Sequence, residues 1–177
     1  MSVIQDPEGT IARAAQQAVQ SNISAGRTVA LAESCTGGLI ATAMTDVPGS
    51  SAVLLASIVT YAYSAKQDFL GVSGEILETF GAVSEACAWA MAQGALDRSG
   101  ADVAVAVSGI AGPDGGTPAK PVGTVMFARV ERGQSPDQAV TLCRHFDPAG
   151  SRDDIRRQAA VVALELLDAQ ADGVTGA

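Results

Sequence analysis

The segment Thr28-Val29-Ala30-Leu31-Ala32-Glu33-Ser34-Cys35-Thr36-Gly37-Gly38 joins a short apolar run to a polar, glycine-rich stop. Residues 28–32 predict a short buried strand. Residues 39–45 predict a helix, which Pro48-Gly49 ends. A loop between a strand and a helix lies beyond the carboxyl end of the strand, where α/β sheets bind their ligands. The segment therefore predicts an α/β fold with a site at residues 33–38.

The remaining sequence continues this alternation of helices and strands. The polar connection at 131–137 separates two strand-like runs and predicts an antiparallel hairpin. We expect a single domain over residues 1–177, with its core at about 8–168, folded as a three-layer α/β/α sandwich around a mixed β-sheet. The other predicted helices span 7–25, 65–70, 74–80, 84–97 and 151–169, and the other predicted strands span 52–61, 102–107, 122–130 and 138–146.

Composition limits the functions that this chain can have. Of 177 residues, 47% are hydrophobic and 17% are charged, which favours a packed core over disorder. The net charge of −8 lacks the basic footprint of a nucleic-acid binder. Neither a signal peptide nor an apolar run of about 20 residues is visible, so we expect a cytoplasmic protein with no membrane partner. Cys35, Cys87 and Cys143 match no zinc spacing and indicate free thiols.

Ser34 in the first loop is a candidate nucleophile. We expect its side chain to be exposed beside free backbone N–H groups at a helix N-terminus. Such groups hold anions and stabilise the oxyanion of an acyl transfer. The structural alternative is that Ser34 or Thr36 simply caps the helix.

A serine nucleophile needs a base, and the sequence offers few. His145 is the only histidine, so a Ser-His-Asp triad would rest on it alone. Lys66 and Lys120 are the only lysines, and each follows a predicted strand or a glycine-rich loop. A buried lysine loses its charge readily, so Lys66 could take the proton of Ser34. The alternative is a surface lysine in the first turn of a helix.

Other side chains near the two loops have candidate roles beside a structural alternative. Tyr61 could orient Lys66 or pass a proton, with Tyr63 as a competitor, or either ring could cover the edge of the core. Arg152 could reach a phosphate or carboxylate, or could pair with the acidic residues that follow it.

A second glycine-rich loop, Gly109 to Gly116, follows the strand that ends near Ser108. Its glycines allow positive φ angles and close approach to a ligand, and successive N–H groups can form an anion nest. Thr117 and Lys120 follow closely and could contact a phosphate. The loop matches neither a Walker motif nor a Rossmann fingerprint, and a plain long turn is the alternative.

Four blocks of sequence together resemble the CinA C-terminal domain family. They occur in family order, and the resemblance covers residues 8–168. The blocks are Leu31-Ala32-Glu33-Ser34-Cys35-Thr36-Gly37-Gly38; Val59-Thr60-Tyr61 with Lys66 and Leu70-Gly71-Val72; Gly81-Ala82-Val83-Ser84-Glu85; and Gly109-Ile110-Ala111-Gly112-Pro113-Asp114-Gly115-Gly116 with Lys120-Pro121-Val122-Gly123-Thr124-Val125.

The resemblance implies an amidohydrolase of the PncC type, which converts nicotinamide mononucleotide to nicotinic acid mononucleotide and ammonia. Carried over by position, Ser34 is the nucleophile, Lys66 the base and Tyr61 its partner. No metal or cofactor is expected, the partner is a small nucleotide substrate, and base rates for small enzymes favour a homo-oligomer. The implied substrate-binding residues are Cys35, Thr36, Gly37, Gly38, Ser108, Gly109, Gly112, Gly115, Gly116 and Lys120.

The chain departs from the family pattern at two positions. Tyr63 stands where the family leads us to expect asparagine, and Ser64 where an acidic residue is frequent. Many members carry a separate N-terminal domain associated with pyrophosphatase activity, which we do not predict here.

The alternative to an enzyme is a non-catalytic nucleotide-binding or regulatory interaction module. Such a module does not require contact between the side chains of Ser34 and Lys66. A wide separation between them would therefore favour this alternative.

Overall fold

A computed structural model describes residues 7–170 and contains a five-stranded sheet with helices on both faces. This architecture confirms the predicted single-domain α/β sandwich. The helices are α1 (Pro7–Ala25), α2 (Leu39–Thr45), α3 (Tyr63–Leu70), α4 (Gly74–Phe80), α5 (Glu85–Ser99) and α6 (Arg152–Leu167), and the strands are β1 (Val29–Glu33), β2 (Leu54–Val59), β3 (Val103–Gly109), β4 (Thr124–Glu131) and β5 (Val140–His145).

The sheet is mixed, with the strand order β2-β1-β3-β4-β5. Strand β1 runs parallel to both β2 and β3, whereas β3, β4 and β5 form antiparallel pairs. The predicted hairpin is therefore confirmed as β4–β5. At the end of β1, Glu33 pairs with Val59 on one side and Val107 on the other. The segments that follow these three parallel strands consequently meet at one edge of the sheet.

Alternating side chains of the strands form two separate hydrophobic layers. Val29 and Leu31 of β1 pack with α1, α2 and α6. Ala30 and Ala32 point to the opposite face and pack with residues of α3, α4 and α5. The second face is rich in alanine, and small side chains allow a helix to approach the sheet closely. Because successive side chains of a strand point to opposite faces, each face of the sheet carries its own layer of helices.

Helices α3 and α5 touch at Gly94. A Cβ atom at this position would overlap the carbonyl oxygen of Leu70, the last residue of α3. The absence of a side chain at Gly94 therefore lets α5 hold the end of the helix that carries Lys66.

Three predicted strands are longer than the observed ones. The run 138–146 shortens to Val140–His145, because Pro136–Gln138 forms a 3₁₀ turn. The run 52–61 is apolar enough to predict one strand, yet Ser50–Ala52 forms a 3₁₀ turn and β2 ends at Val59. Strand β4 begins at Thr124 because the N–H of Thr124 donates to the carbonyl of Pro121, closing a turn in which Gly123 has φ of 93°. Within residues 7–170, no helix combines the length and hydropathy needed to cross a membrane.

Candidate active site

Ser34 and Lys66 form a buried pair at the edge where the parallel strands end. The Nζ atom of Lys66 lies 3.0 Å from Oγ of Ser34 and donates to the carbonyl of Thr60 at 2.6 Å. Ser34 follows β1 directly, and its N–H donates to the carbonyl of Val107 in β3. Only 1% of Lys66 and 8% of Ser34 is exposed. The surface-lysine alternative is therefore wrong, and so is the expectation that Ser34 is exposed.

Burial lowers the pKa of Lys66 from its ordinary value of 10.5, because desolvation disfavours the ammonium form. Among residues 7–170, no carboxylate forms an ion pair with its Nζ atom. A neutral amine at this position can donate one N–H to Thr60 and direct its lone pair at the Ser34 hydroxyl. The arrangement is that of a nucleophile hydrogen-bonded to a general base.

Glu33 occupies the N-terminus of α2, which corrects the expectation of free N–H groups there. Its buried carboxylate accepts five hydrogen bonds, and the positive end of the helix also favours its charge. Neither Ser34 nor Thr36 caps α2; the residue at the cap position is Gly38, with φ of 94°. The donors are the N–H groups of Gly38 (2.9 Å), Ile40 (3.3 Å) and Ala41 (3.0 Å) and the hydroxyls of Thr36 (2.8 Å) and Ser57 (3.3 Å).

The backbone N–H groups nearest the nucleophile are those of Cys35 and Thr36. In the described part of the chain, neither donates to a carbonyl or carboxylate oxygen. The next N–H, of Gly37, donates to the carbonyl of Ser34 and closes a turn. If an oxyanion forms beside Ser34, the peptide units at 35–36 carry the donors that remain for it.

Two arginines one helical turn apart on α6 connect the loops of the site. Arg156 donates to the carbonyls of Cys35 and Thr36, at 3.1 and 2.9 Å. Arg152 donates to the carbonyl of Gly112 at 2.7 Å and to the hydroxyl of Tyr61 at 2.6 Å. Arg152 therefore joins the second glycine-rich loop to the segment after β2. These hydrogen bonds differ from the alternative in which Arg152 pairs with the acidic residues that follow it.

The two tyrosines lie at the rim of the site. Tyr61 is 61% exposed, and its hydroxyl accepts a hydrogen bond from Arg152. Its expected partnership with Lys66 stays a prediction, since no hydrogen bond joins the two side chains. Tyr63 begins α3, and its hydroxyl accepts from the N–H of Ala82 at 3.3 Å.

The second glycine-rich loop follows β3, beside the first. Gly112, which precedes a cis peptide bond to Pro113, and Gly115 have positive φ angles of 76° and 91°. Gly109 still belongs to β3, where a Cβ would overlap the side chain of Val125. A Cβ at Gly116 would similarly overlap the backbone of Val122. Packing and backbone conformation thus explain why glycine stands at these four positions. Their contact with a nucleotide stays a prediction.

Residues 80–82 bring further predicted site residues together. The Ser108 hydroxyl donates to the carbonyl of Ala82 at 2.7 Å, and Nζ of Lys120 donates to the carbonyl of Phe80 at 2.8 Å. Tyr63 contacts the same segment through Ala82. One side of the candidate site is therefore tied to the chain between α4 and α5.

Cys35 adjoins the nucleophile but is poorly suited to act as one. Burial raises the pKa of its thiol to about 11, so the reactive thiolate is scarce at neutral pH. All three cysteines are free. Among residues 7–170, no three His, Cys, Asp or Glu side chains are grouped so that they could hold a metal ion.

His145 lies at the opposite edge of the sheet from the parallel strands. It ends β5, three strand positions or about 14 Å from β1. Its ring contacts Thr124 and Cys143. These contacts match the ordinary structural role that a lone histidine usually has.

A cavity of about 570 Å³ lies on the other face of α2 and does not include the Ser34–Lys66 pair. It is bounded by α1, α2 and Arg157 of α6, and its wall combines apolar and polar side chains. The lining residues are Ile11, Ala12, Gln16, Gln20, Leu39, Thr42, Ala43, Asp46, Val47, Pro48 and Arg157.

Three contributors to the site were missed by sequence reasoning. These are the Glu33 carboxylate, the Thr60 carbonyl and Arg156. An acidic residue six positions before a helix start was a usable signal for Glu33, because carboxylates favour helix N-termini. Neither a backbone carbonyl nor an arginine 122 positions after the nucleophile carries any local signal.

Comparison with known proteins gives the family of this chain. The chain matches the family described as CinA C-terminal domain over residues 11–171. A relative from Symbiobacterium thermophilum, named for competence-damage induction, is 58% identical over 145 residues, which is 80% of this chain and 34% of the relative. A CinA-like protein from Mycolicibacterium gilvum is 52% identical over 143 residues, with 81% and 33% covered. The chain thus spans about a third of the length of these curated relatives.

A solved structure agrees with this assignment. The competence/damage inducible protein from Agrobacterium tumefaciens has a TM-score of 0.86 and 45% identity, covering 94% of this chain and 97% of that one. The family match spans most of the described fold, including both glycine-rich loops and the Ser34–Lys66 pair. The chain therefore belongs to the CinA C-terminal domain family.

Proposed function

We propose that this chain is an amidohydrolase that converts nicotinamide mononucleotide to nicotinic acid mononucleotide and ammonia. The observation that carries the proposal is the 3.0 Å contact between Lys66 Nζ and Ser34 Oγ, in a buried setting that lowers the pKa of Lys66. An interaction module has no need for this pair. The substrate itself comes from the family resemblance.

In the proposed reaction, the Ser34 oxygen attacks the carboxamide carbon while neutral Lys66 takes the hydroxyl proton. The N–H groups of Cys35 and Thr36 stabilise the resulting oxyanion. The carbon–nitrogen bond then breaks, and Lys66 returns the proton to the departing ammonia. A water molecule then attacks the acyl carbon and gives one proton to Lys66. The bond between that carbon and the Ser34 oxygen breaks, Lys66 returns the proton to Ser34, and the carboxylic acid leaves.

Local cations support the binding of a phosphorylated substrate to a chain whose net charge is −8. Arg152 and Lys120 flank the glycine-rich loop, and both now donate to backbone carbonyls. A phosphate would form charge-assisted hydrogen bonds with either side chain, which are stronger than those to a neutral carbonyl. We expect the loop at 109–116 to hold the nucleotide between them.

Substrate preference tests this proposal. Purified protein is incubated separately with nicotinamide mononucleotide, nicotinamide riboside and nicotinamide, and ammonia and the acid product are measured. The proposal predicts the highest kcat/KM for the mononucleotide, because the two other compounds lack the phosphate. Equal turnover of all three would contradict the phosphate contact, and no turnover of any would contradict the proposed substrate.

The competing function is nucleotide binding without turnover. Titration of the folded protein with nicotinamide mononucleotide distinguishes the two, since a binding module would bind it and release no ammonia.

We also propose that the chain acts in the cytoplasm as a homo-oligomer. Light scattering of the purified protein measures its mass against the 17.8 kDa of one chain.

A further inference from the structure

Arg156 is bound to the peptide units that follow the nucleophile. Its Nε atom donates to the carbonyl of Cys35 and its Nη2 atom to the carbonyl of Thr36. The planar guanidinium group presents these donors in a rigid fork, so one side chain fixes two successive carbonyls. The Thr36 carbonyl also accepts from the N–H of Leu39, at 3.2 Å.

The direction of each carbonyl determines the direction of the next N–H. In a trans peptide, the C=O and N–H bonds of one plane point in opposite directions. The Cys35 carbonyl points at Arg156 on α6, so the N–H of Thr36 points away from that helix. Arg156 therefore orients a donor that it does not touch.

The neighbouring donors are already committed. Gly38, Ile40 and Ala41 donate to the Glu33 carboxylate, and Gly37 donates to the carbonyl of Ser34. Within the described chain, the N–H groups of Cys35 and Thr36 have no such oxygen acceptor. The peptide unit whose carbonyl Arg156 holds thus carries one of the two donors left beside Ser34.

We propose that Arg156 is a positioning residue, which holds the peptide between Cys35 and Thr36 so that the Thr36 N–H meets the oxyanion beside Ser34. This inference rests on the proposed function and adds a residue to it. Arg156 acts through the backbone and contacts no reacting atom. Its positive charge also polarises the Cys35 carbonyl, which makes the Thr36 N–H a stronger donor.

Arg156→Gln and Arg156→Lys test the proposal, with Arg157→Gln as the matched control. Arg157 is the next residue of α6, and its Nε atom donates to Asp153 at 2.6 Å. Loss of an oxyanion donor lowers kcat by about 100-fold or more, and a misdirected donor should cost about 10–100-fold. We expect that loss in Arg156→Gln with little change in KM, a smaller loss in Arg156→Lys, and wild-type values in Arg157→Gln.

The split between kcat and KM separates positioning from other roles. An unchanged kcat in Arg156→Gln would overturn the proposal. A raised KM with kcat unchanged would also overturn it, because Arg156 would then bind substrate directly. The pH dependence of kcat/KM should keep its position in Arg156→Lys, since Lys66 is untouched, and a displaced profile would indicate a field effect on the base.

A fluorophosphonate probe gives a readout that does not depend on the amide substrate. Its reaction with Ser34 develops negative charge on a phosphoryl oxygen, which the same N–H groups would stabilise. We expect slower labelling of Ser34 in Arg156→Gln than in Arg157→Gln, measured by mass spectrometry. Labelling of Ser34 without turnover of nicotinamide mononucleotide would reject the proposed substrate, and the labelling rates would still test Arg156. No labelling of wild type would reject both the nucleophilic role of Ser34 and the positioning role of Arg156.

Folding of the variants is checked by thermal melting and by the amide spectrum. If Arg156→Gln does not fold, Arg156→Lys retains one donor and carries the kinetic test. The Thr36 amide resonance of isotope-labelled protein should shift in Arg156→Lys and stay in place in Arg157→Gln. An unmoved Thr36 resonance together with unchanged labelling would overturn the proposal.

Discussion

The Nζ atom of Lys66 lies 3.0 Å from Oγ of Ser34, although 32 positions separate these residues in the chain. Ser34 follows β1, and Lys66 lies in the first turn of α3 beyond the neighbouring strand β2. The parallel pairing of β1 with β2 places both segments at the same edge of the sheet. The topology of the fold therefore assembles the nucleophile and the base.

The lowered pKa of Lys66 predicts how activity depends on pH. Only the neutral amine can take the Ser34 proton, so kcat/KM should rise with pH by about tenfold per unit below that pKa and then level off. The midpoint should lie below the ordinary lysine value of 10.5. Lys66→Arg should remove the activity, because arginine stays protonated throughout this range. A rate that falls as pH rises from 7 to 9 would contradict this role for Lys66.

Glu33 should contribute strongly to stability. Glu33→Gln preserves the shape of the side chain, but its amide nitrogen cannot accept hydrogen bonds. At least two donors, partly or fully buried, therefore lose their acceptor. We expect the free energy of unfolding to fall by about 2–3 kcal/mol, measured by urea denaturation. Glu85→Gln is the control, since Glu85 is exposed in the first turn of α5, and its loss should stay below about 1 kcal/mol. Equal losses in the two variants would contradict this account of Glu33.

Gly94→Ala should disturb the contact between α5 and α3. Its Cβ would overlap the carbonyl oxygen of Leu70, so one helix must shift, at a cost of about 2–3 kcal/mol by denaturation. Gly74→Ala, at the start of α4, meets only the flexible side chain of Gln67 and should change stability by less than about 0.5 kcal/mol. If Gly94→Ala is as stable as wild type, the close approach of the helices is not rigid.

Cys35 should resist alkylation although it adjoins the nucleophile. Its thiol is buried and has a pKa of about 11, whereas Cys143 is only partly buried. Iodoacetamide at pH 7.5 should therefore modify Cys143 first and leave Cys35 unmodified in the folded protein, as peptide mass spectrometry can measure. Rapid modification of Cys35 under native conditions would show that the loop opens.

The fold could be predicted from sequence because its elements carry local signals. Buried strands such as β1 and β3 are short apolar runs, and the helices have breakers or caps such as Gly26, Ser84 and Ser151. The start of β2 was misplaced by two residues because Ala52, which ends a 3₁₀ turn, and Val53 are as apolar as the strand that follows them.

The candidate site was only partly accessible from sequence. Ser34 and Lys66 stand out by residue type and by their place after predicted strands. The contacts of Arg156 depend instead on tertiary structure, because an arginine of the last helix reaches the first loop. Glu33 had a local signal, but its hydrogen bond from Ser57 of β2 also depends on the tertiary structure. Burial of Ser34 likewise follows from packing that no local pattern encodes.

Ammonia release from nicotinamide mononucleotide by wild type, Ser34→Ala and Lys66→Met tests the central claim most directly. The account predicts turnover by wild type, and losses of about 1,000-fold or more in both folded variants, because nucleophile and base act as a unit. Turnover that persists in folded Ser34→Ala or Lys66→Met would contradict the pair as the catalytic centre.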